Sequence, residues 1–158
     1  AVEAGLLAAQ LAGAMRQAFT LTLQYANQRS QFGRSIGTFQ AIQHQLAVMA
    51  EQTAAATMAA RLGCSTSGIV ADALACAVAK ARTSEAVVPV AAIAHAVHGA
   101  IGITEAYGLQ LLTRRMHAWR VAAGSESYWN EHIGRALLAS PQSLPEFVRC
   151  RLGPLPIE

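Results

Sequence analysis

Apolar residues in the first part of the chain recur in alternating steps of four and three. The series comprises Leu7, Leu11, Ala14, Ala18, Leu21 and Tyr25. This spacing is typical of a helix that packs lengthwise against others, and it predicts a first helix over residues 3–29. A second helix is predicted to begin near Phe39 and to end at Gly63, because the same rhythm continues there.

Further along the chain, helical periodicity resumes after a segment of small and polar residues. That segment, GCSTSG at residues 63–68, has the composition of a loop between helices. A third helix is predicted over residues 69–98. Pro89 is expected to kink or interrupt it, and the HGAIG segment at residues 98–102 is expected to close it, since glycines suit a helix end.

Two shorter helices complete the pattern. They are predicted over residues 105–120 and 125–138, with Gly124 and Ser125 placed as the loop and N-cap of the second. No segment has the composition of a strand, and the abundant alanines favour helix and let helices pack closely. We therefore predict an all-α fold, an up-and-down four-helix bundle with an additional short C-terminal helix.

The composition fits one domain with a substantial core. The 158 residues are 53% hydrophobic and only 13% charged, which excludes a disordered chain. We expect the bundle over residues 1–140 and a tail over residues 141–158 that wraps the surface or a neighbouring subunit. The sequence has no initiating Met, so we interpret it as a piece of a longer protein.

Charge and cysteine content argue against several function classes. The formal net charge of +3 is mild and spread along the chain, too weak to indicate nucleic-acid binding. The three cysteines are widely spaced, which favours reduced thiols in a cytoplasmic protein over a disulfide framework or a metal pattern. No uninterrupted apolar run reaches the roughly 18 residues of a membrane span, and the apolar start lacks the basic leader of a signal peptide.

The segment between the first two predicted helices, YANQRSQFGRSIGTFQAIQHQLA, carries the clearest candidate chemistry. Arg29 offers a planar fork of donors suited to a pair of phosphates, and Phe32 offers a face for a flat ring. Gly33 and Gly37 let the backbone turn. A structural alternative is that Arg29 merely places positive charge near the C-terminal carbonyls of its helix.

Three blocks of the chain resemble the acyl-CoA dehydrogenases, in the same order and at similar distances over residues 1–140. They are YANQRSQFGRSIGTFQ, HGAIGITEAYGLQLLTRRMHAW and AAGSESYWNEHIGRALL. The resemblance is to the C-terminal α-helical domain, which in that family follows another helical domain and a β domain. It implies FAD as cofactor, acyl-CoA as substrate, and a dimer or tetramer in which this bundle reaches a neighbour's FAD.

The resemblance also implies contacts for individual residues in the first block. Arg29 would contact the FAD pyrophosphate and Phe32 would pack near the adenosine part. Gln40 would form a hydrogen bond with the same cofactor. These three residues lie within twelve positions of one another. The resemblance therefore implies that one short segment of the chain contacts the cofactor.

Two further segments would meet the flavin ring. The loop at Val97, His98 and Gly99 would approach the flavin of the partner subunit, while Gly124 and Ser125 would border the isoalloxazine and the thioester. Here the sequence departs from the family pattern. A Gln that usually precedes the glycine pair is replaced by an alanine, as is the second glycine, so one amide contact with FAD is lost.

The larger departure concerns the catalytic base. Many members carry a Glu directly before the glycine that corresponds to Gly124, whereas this chain has Ala123, which cannot accept a proton. Members that resemble the isovaleryl and long-chain enzymes instead supply a Glu from the first helix, 26 residues before the flavin-contacting arginine, and that count leads to Glu3. The alternative is that Glu3 is an exposed helix-start residue; Glu105 and Glu126 are expected to cap helices or form surface pairs.

The histidine, cysteine and tryptophan residues of the chain are weaker candidates for a functional site. His95 and His98 have the spacing of metal ligands on a helix, but no third ligand is evident, and we predict no metal site. Cysteine nucleophiles would need a base and an oxyanion site that the sequence does not display. Trp119 and Trp129 could line an acyl pocket, although aromatics of a small bundle are usually core or interface residues.

Two hypotheses follow. In the first, the chain is the C-terminal domain of an FAD-dependent acyl-CoA dehydrogenase-like oxidoreductase, inactive alone and active in α,β-dehydrogenation of an acyl-CoA when joined to its other domains. In the second, it is a non-catalytic helical interaction module or the flavin-binding partner subunit of a hetero-oligomer. Ala123 and Ala96, the alanine in place of the usual Gln, favour the second hypothesis. Arg29, Phe32 and Gln40 favour the first.

Overall fold

Helices form almost all of the structure, a computed structural model that describes residues 1–65 and 71–153. In chain order they are α1 (Val2–Gln28), α2 (Gln40–Cys64), α3 (Ala73–His98), α4 (Leu109–Val121), α5 (Glu126–Leu138) and α6 (Leu144–Arg151). Helices α1, α2 and α3 pack on one another, α4 packs against α1 and α3, and α5 packs against α3. The predicted all-α bundle with an additional helix after it is confirmed.

The predicted boundaries agree with the observed ones where the periodicity is strong. Helix α3 ends at His98, and Gly99 follows it with a φ of 62°, so the glycine closes the helix as expected. The predicted start of this helix and half of the predicted loop at 63–68 lie outside the described residues. Helix α3 begins after Asp72, whose Oδ1 accepts a hydrogen bond of 2.8 Å from Ala75 N.

Helix α3 is the centre of the bundle, because α1, α2, α4 and α5 all pack against it. Most of its residues are accordingly apolar. Together with the 3₁₀ turn after it, this helix makes Ala73–Ile103 the one stretch of the described residues that is long and apolar enough to cross a membrane. Its packing against four other helices, which buries most of its residues, identifies it instead as the core helix.

Pro89 does not interrupt α3, contrary to the expectation from its missing amide. The helix is continuous from Ala73 to His98. Pro89 removes the donor that would meet the carbonyl of Glu85, and Glu85 is exposed, so water can satisfy that oxygen. The expected interruption is therefore wrong, because the helix continues through Pro89.

Two small residues let α1, α2 and α3 approach closely near the N-terminus of α1. A Cβ built on Gly63 would lie 2.5 Å from the Cβ of Ala79, and one on Gly5 would lie 2.9 Å from Cys76 Sγ. Both distances are too short for real atoms, so these positions require glycine. The thiol of Cys76 donates to Gly63 O at 3.4 Å, and burial raises the pKa of this thiol.

Two elements were not predicted. The segment between α1 and α2 contains a two-stranded antiparallel hairpin, β1 (Ser30–Gln31) and β2 (Arg34–Ser35), so the expectation that nothing forms a strand is wrong at this turn. The tail contains α6, which begins with a capping box between Ser143 and Glu146 and buries Phe147.

Candidate cofactor and substrate site

Arg29 lies at the end of α1 with its side chain open to solvent. Its backbone is fixed on both sides, because its N–H donates to Tyr25 O at 2.9 Å and its carbonyl accepts from Ile36 N at 2.8 Å. Among the described residues, the guanidinium has no hydrogen-bond or ion-pair partner. The five donors of this side chain are therefore available to an anion.

Phe32 occupies the tip of the hairpin in a conformation that packing does not explain. Its φ is 52°, a region that non-glycine residues seldom adopt, and its side chain is 91% exposed. The ring lies edge-on to Phe39, with 6.2 Å between centroids. The two-residue loop of this hairpin accounts for the positive φ, because Phe32 and Gly33 (φ 79°) form it together and both positions of such a loop need positive φ. The exposed ring is available to a ligand or partner.

The turn that carries these residues is rigid. Ser35 Oγ donates to Ala26 O at 2.8 Å and accepts from Gly37 N at 3.3 Å. A Cβ on Gly37 would lie 3.2 Å from Ala26 O, so the glycine allows the chain to pass close to α1. Gln43 Nε2 closes the turn with a hydrogen bond of 3.1 Å to Gly37 O.

Arg34 and Gln40 complete this surface. The guanidinium of Arg34 lies 4.2 Å from the centroid of the Phe39 ring, a cation–π contact that folds Arg34 back onto the hairpin. Gln40 is the first residue of α2 and is exposed. The structure thus brings Arg29, Phe32 and Gln40 into one turn, with Arg29 as its open guanidinium.

The end of α3 packs beside the same end of α1. The His98 ring stacks on Tyr25, with centroids 4.4 Å apart and planes 25° from parallel. Its Nδ1–H donates to Ala94 O at 2.7 Å, and Nε2 lies 3.2 Å from the Tyr107 hydroxyl, from which it accepts when the ring is neutral. Burial lowers the pKa of His98, which matches this neutral form.

Of the three residues assigned to this loop, Gly99 is open and the other two are buried. Val97 and His98 are 6% and 3% exposed and face their own subunit. Both nitrogens of His98 have partners, so its ring supports the loop and is not free for a ligand. No atom lies within 4 Å of a Cβ built on Gly99, so its backbone can be approached closely. His95 Nε2 pairs with Thr113 Oγ1 at 2.9 Å.

The turn between α4 and α5 has two consecutive residues with positive φ, Ala123 at 52° and Gly124 at 99°. A Cβ on Gly124 would lie 2.7 Å from Trp129 Nε1, so only glycine fits there. The indole of Trp129 donates to Ala123 O at 2.9 Å. Ser125 then begins α5 as N-cap without a side-chain capping bond.

Glu3 lies beside this turn. A cleft of about 390 Å³ is lined by the start of α1 (Ala1, Glu3, Ala4), by the turn (Ala123, Gly124) and by α5 (Tyr128, Trp129). Trp129 joins these elements, because its ring packs against Ala4 in a cluster with residues of α3. The two positions considered for a catalytic base, Glu3 and Ala123, therefore share one cleft, although they are 120 residues apart in the sequence. Glu126, in contrast, pairs with Arg120.

Sequence reasoning missed Lys80. It is fully buried on α3, and its ammonium donates to Ser84 Oγ at 2.8 Å, Arg120 O at 2.7 Å and Gly124 O at 2.9 Å. Burial lowers its pKa to about 8. The available signal was a lone lysine within the apolar run ACAVAKA, whose partners lie too far along the chain to be identified by spacing.

The candidate residues form two groups at opposite ends of α1. Arg29, Phe32 and Gln40 lie with Gly99 at one end, and Glu3 lies with the turn at Gly124 at the other. At 1.5 Å per residue, the 26 positions from Glu3 to Arg29 span about 39 Å. That is farther than one extended dinucleotide reaches, so one cofactor molecule cannot contact both groups of a single subunit.

Comparison with known proteins gives a consistent result. The model of the family described as "Acyl-CoA dehydrogenase, C-terminal domain" matches residues 1–138. Acyl-CoA dehydrogenase IpdE2 of Mycolicibacterium smegmatis is 37% identical over 112 residues, which are 71% of this chain and 35% of that protein. The 3-sulfinopropanoyl-CoA desulfinase of Paraburkholderia xenovorans is 30% identical over 131 residues, 83% of this chain and 34% of the relative.

A solved structure shares the architecture. Butyryl-CoA dehydrogenase from Megasphaera elsdenii superposes with a TM-score of 0.80 and 26% identity, over 87% of this chain and 37% of that one. The chain spans about a third of the length of each of these proteins.

Proposed function

We propose, from the premise that this chain belongs to the acyl-CoA dehydrogenase family through its C-terminal domain, that it completes the FAD and acyl-CoA sites of an acyl-CoA oxidoreductase. The observation that carries the proposal is the pairing of an open guanidinium and an exposed aromatic ring on one hydrogen-bonded turn. We take residues 1–140 as the domain and residues 141–158 as a tail that wraps the surface or a neighbouring subunit. Because the chain spans about a third of the length of its relatives, we propose that the activity belongs to a longer protein of which this domain is a part.

The residues present fit FAD. Arg29 presents unpaired donors to an anion, Phe32 presents a face 91% open to a flat ring, and Gln40 presents an exposed amide. We propose that they hold the pyrophosphate and adenosine parts, and that Gly99 approaches the flavin of a neighbouring subunit. Val97 and His98 support this loop from inside their own subunit.

The separation of the two groups supports an oligomer. About 39 Å of helix lies between them, so we propose that each subunit contributes Arg29 to one FAD and the Glu3 cleft to another. A dimer or tetramer of identical chains provides this arrangement, and so does a hetero-oligomer with a related subunit.

Within the cleft, the first step of the proposed reaction is removal of a proton from the acyl-CoA. Removal of a hydrogen from the carbon next to the thioester carbonyl needs a positioned base, worth about 10² to 10⁴ in rate. Glu3 is the carboxylate that lines this cleft, and we propose that it accepts the proton. FAD, when bound, supplies the acceptor for the hydride that leaves the adjacent carbon. Gly124 and Ser125 border the thioester through backbone and hydroxyl.

Purified full-length protein provides the test. Its visible absorption is measured for FAD, and the flavin band is then followed anaerobically with straight-chain and branched acyl-CoA thioesters and with 3-sulfinopropanoyl-CoA, the compound in the name of one relative. We expect a yellow protein whose flavin is bleached by at least one of the acyl-CoA thioesters. A protein that takes up no FAD would contradict the proposal.

A second candidate function is favoured by one observation, the alanine at position 123. In this alternative the subunit binds flavin at a shared interface and a partner subunit supplies the base. A full-length protein that binds FAD but is bleached by no thioester until a related subunit is added would establish it. Substituting Glu3 would then change nothing.

A further inference from the structure

Lys80 is the one lysine of the chain, and nothing in the helix packing requires it. It lies in the middle of α3 with no exposed surface, where an ammonium group is costly unless every proton has an acceptor. Here each of its three donors has one. We therefore look for the role of Lys80 in the three oxygen atoms to which it donates.

Two of those groups mark the two ends of one turn. Arg120 O belongs to the last turn of α4 and Gly124 O directly precedes α5, and both accept from Lys80 Nζ, at 2.7 and 2.9 Å. Ser84 Oγ accepts from the same ammonium and donates to Arg120 O at 3.2 Å. The result is a closed network in which the donors and acceptors are all satisfied.

The turn needs such support. Ala123 has a φ of 52°, a left-handed conformation that is unfavourable for a residue with a Cβ. Strained backbone of this kind persists only where its surroundings fix it. Trp129 holds Ala123 O, and the Arg120–Glu126 ion pair spans the turn from outside, while Lys80 holds the two carbonyls on its inner side.

We propose that Lys80 is a positioning residue: through the carbonyls of Arg120 and Gly124 it fixes the turn that borders the thioester-binding cleft. This inference rests on the proposed function for its catalytic part. Lys80 is not among the residues that line the cleft; it acts through the backbone of Gly124, which lines the cleft together with Ala123.

A matched control comes from the neighbouring residue. Thr83 is also fully buried on α3, but its hydroxyl donates only to carbonyls of its own helix, Ala79 O and Lys80 O. Thr83→Val therefore removes a buried hydrogen bond without touching the turn. Lys80→Met removes the donors to the turn while keeping most of the side-chain volume.

The experiment measures hydrogen exchange by mass spectrometry in the full-length protein, without and with FAD, followed by anaerobic flavin reduction with a thioester that bleaches the wild type. In Lys80→Met we expect backbone exchange in the peptide covering residues 120–126 to rise about tenfold or more, the equivalent of one lost hydrogen bond. The flavin reduction rate should fall about tenfold as the turn loses its position. Thr83→Val should change both by less than about twofold.

The outcomes separate the two proposals. Unchanged exchange at residues 120–126 in Lys80→Met would overturn the anchoring role, and faster exchange with an unchanged reduction rate would overturn the positioning role. Absence of FAD would contradict the proposed function instead, while exchange in the FAD-free protein still decides the anchoring. If Lys80→Met is insoluble, Ser84→Ala, which leaves the bond to Gly124, should give a smaller rise of about threefold.

Discussion

Lys80 Nζ lies 2.9 Å from the carbonyl oxygen of Gly124, which joins the centre of α3 to the turn between α4 and α5. The two residues are 44 positions apart, and the bond crosses from the core helix to the edge of the candidate substrate cleft. It ties the stability of the bundle to the geometry of the site. Because the bond depends on the Lys80 ammonium, the free energy of unfolding should change with pH as Lys80 loses its proton.

The first prediction concerns that titration. Burial lowers the pKa of Lys80 from 10.5 to about 8, against a smaller opposing effect of Glu126. Between pH 8 and 10.5 the unfolded chain keeps a proton that the folded chain has released, so the Lys80 contribution to the free energy of unfolding rises with pH in this window. One proton sets an upper limit of about 1.4 kcal/mol per pH unit.

Urea unfolding of the wild type and Lys80→Met at pH 8 and pH 10 checks this prediction. The difference between the two proteins isolates Lys80 from other titrating groups, Cys76 among them. As the pH rises from 8 to 10, we expect the free energy of unfolding of the wild type to increase relative to that of the variant. A relative loss would mean that the folded protein holds the Lys80 proton more tightly than the unfolded chain does.

Close packing of α2 on α3 gives the second prediction. Gly63→Ala places a methyl group 2.5 Å from the Cβ of Ala79, so the helices must separate, and we expect a loss of about 1–3 kcal/mol. Gly13→Ala is the control, because nothing lies within 4 Å of that Cβ and the helix gains about 0.5–1 kcal/mol. In thermal or urea unfolding, Gly63→Ala should lower the free energy of unfolding and Gly13→Ala should raise it. Equal changes in the two variants would refute the packing argument.

His98 provides the third prediction. Burial lowers its pKa below the ordinary 6.5, with a smaller effect from His95 in the same direction. As the pH falls below about 6.5, the unfolded chain takes up a proton that the folded chain resists, so stability is lost toward low pH. His98→Phe keeps a ring against Tyr25 but cannot titrate.

Stability curves of the wild type and His98→Phe between pH 5 and 7.5 make the comparison. The wild type should lose more free energy of unfolding toward pH 5 than the variant does. Parallel curves would show that His98 is protonated equally in both states and that its neutral pairing with Tyr107 is wrong.

Periodicity was sufficient to predict the helices, because a helix that packs along its length must repeat its apolar residues. It could not predict the hairpin at Phe32, whose two-residue strands have no period. It also missed α6, a helix of eight residues with Pro145 in its first turn, where proline is tolerated. Continuity through Pro89 depended on tertiary packing, which local propensity does not include.

The candidate site was predictable only in part. Arg29 and Phe32 are near in sequence, so one segment contained both, and their exposure agrees with a ligand-binding turn. Glu3 and Ala123 share a cleft through packing of Trp129 on Ala4, which no spacing rule could supply. The hydrogen bonds of Lys80 could not be predicted from spacing either, since its two carbonyl acceptors on the turn lie 40 and 44 residues away in the sequence.

The fourth prediction tests the nucleotide contact. Arg29→Ala in the full-length protein should weaken FAD binding about 10- to 100-fold, the effect of losing one or two charge-assisted hydrogen bonds. Arg61→Ala is the control, because Arg61 is also exposed but lies at the far end of α2. Titration of the FAD-free protein with FAD gives both affinities; equal losses would indicate a general charge effect.

The most direct measurement is the rate of anaerobic flavin reduction by an acyl-CoA in three forms of the full-length protein. The account predicts that Glu3→Gln is slower than the wild type by about 10² to 10⁴. It also predicts that adding Ala123→Glu to that variant restores much of the rate, because both positions line one cleft. An unchanged rate in Glu3→Gln would contradict the assignment of Glu3 as the base.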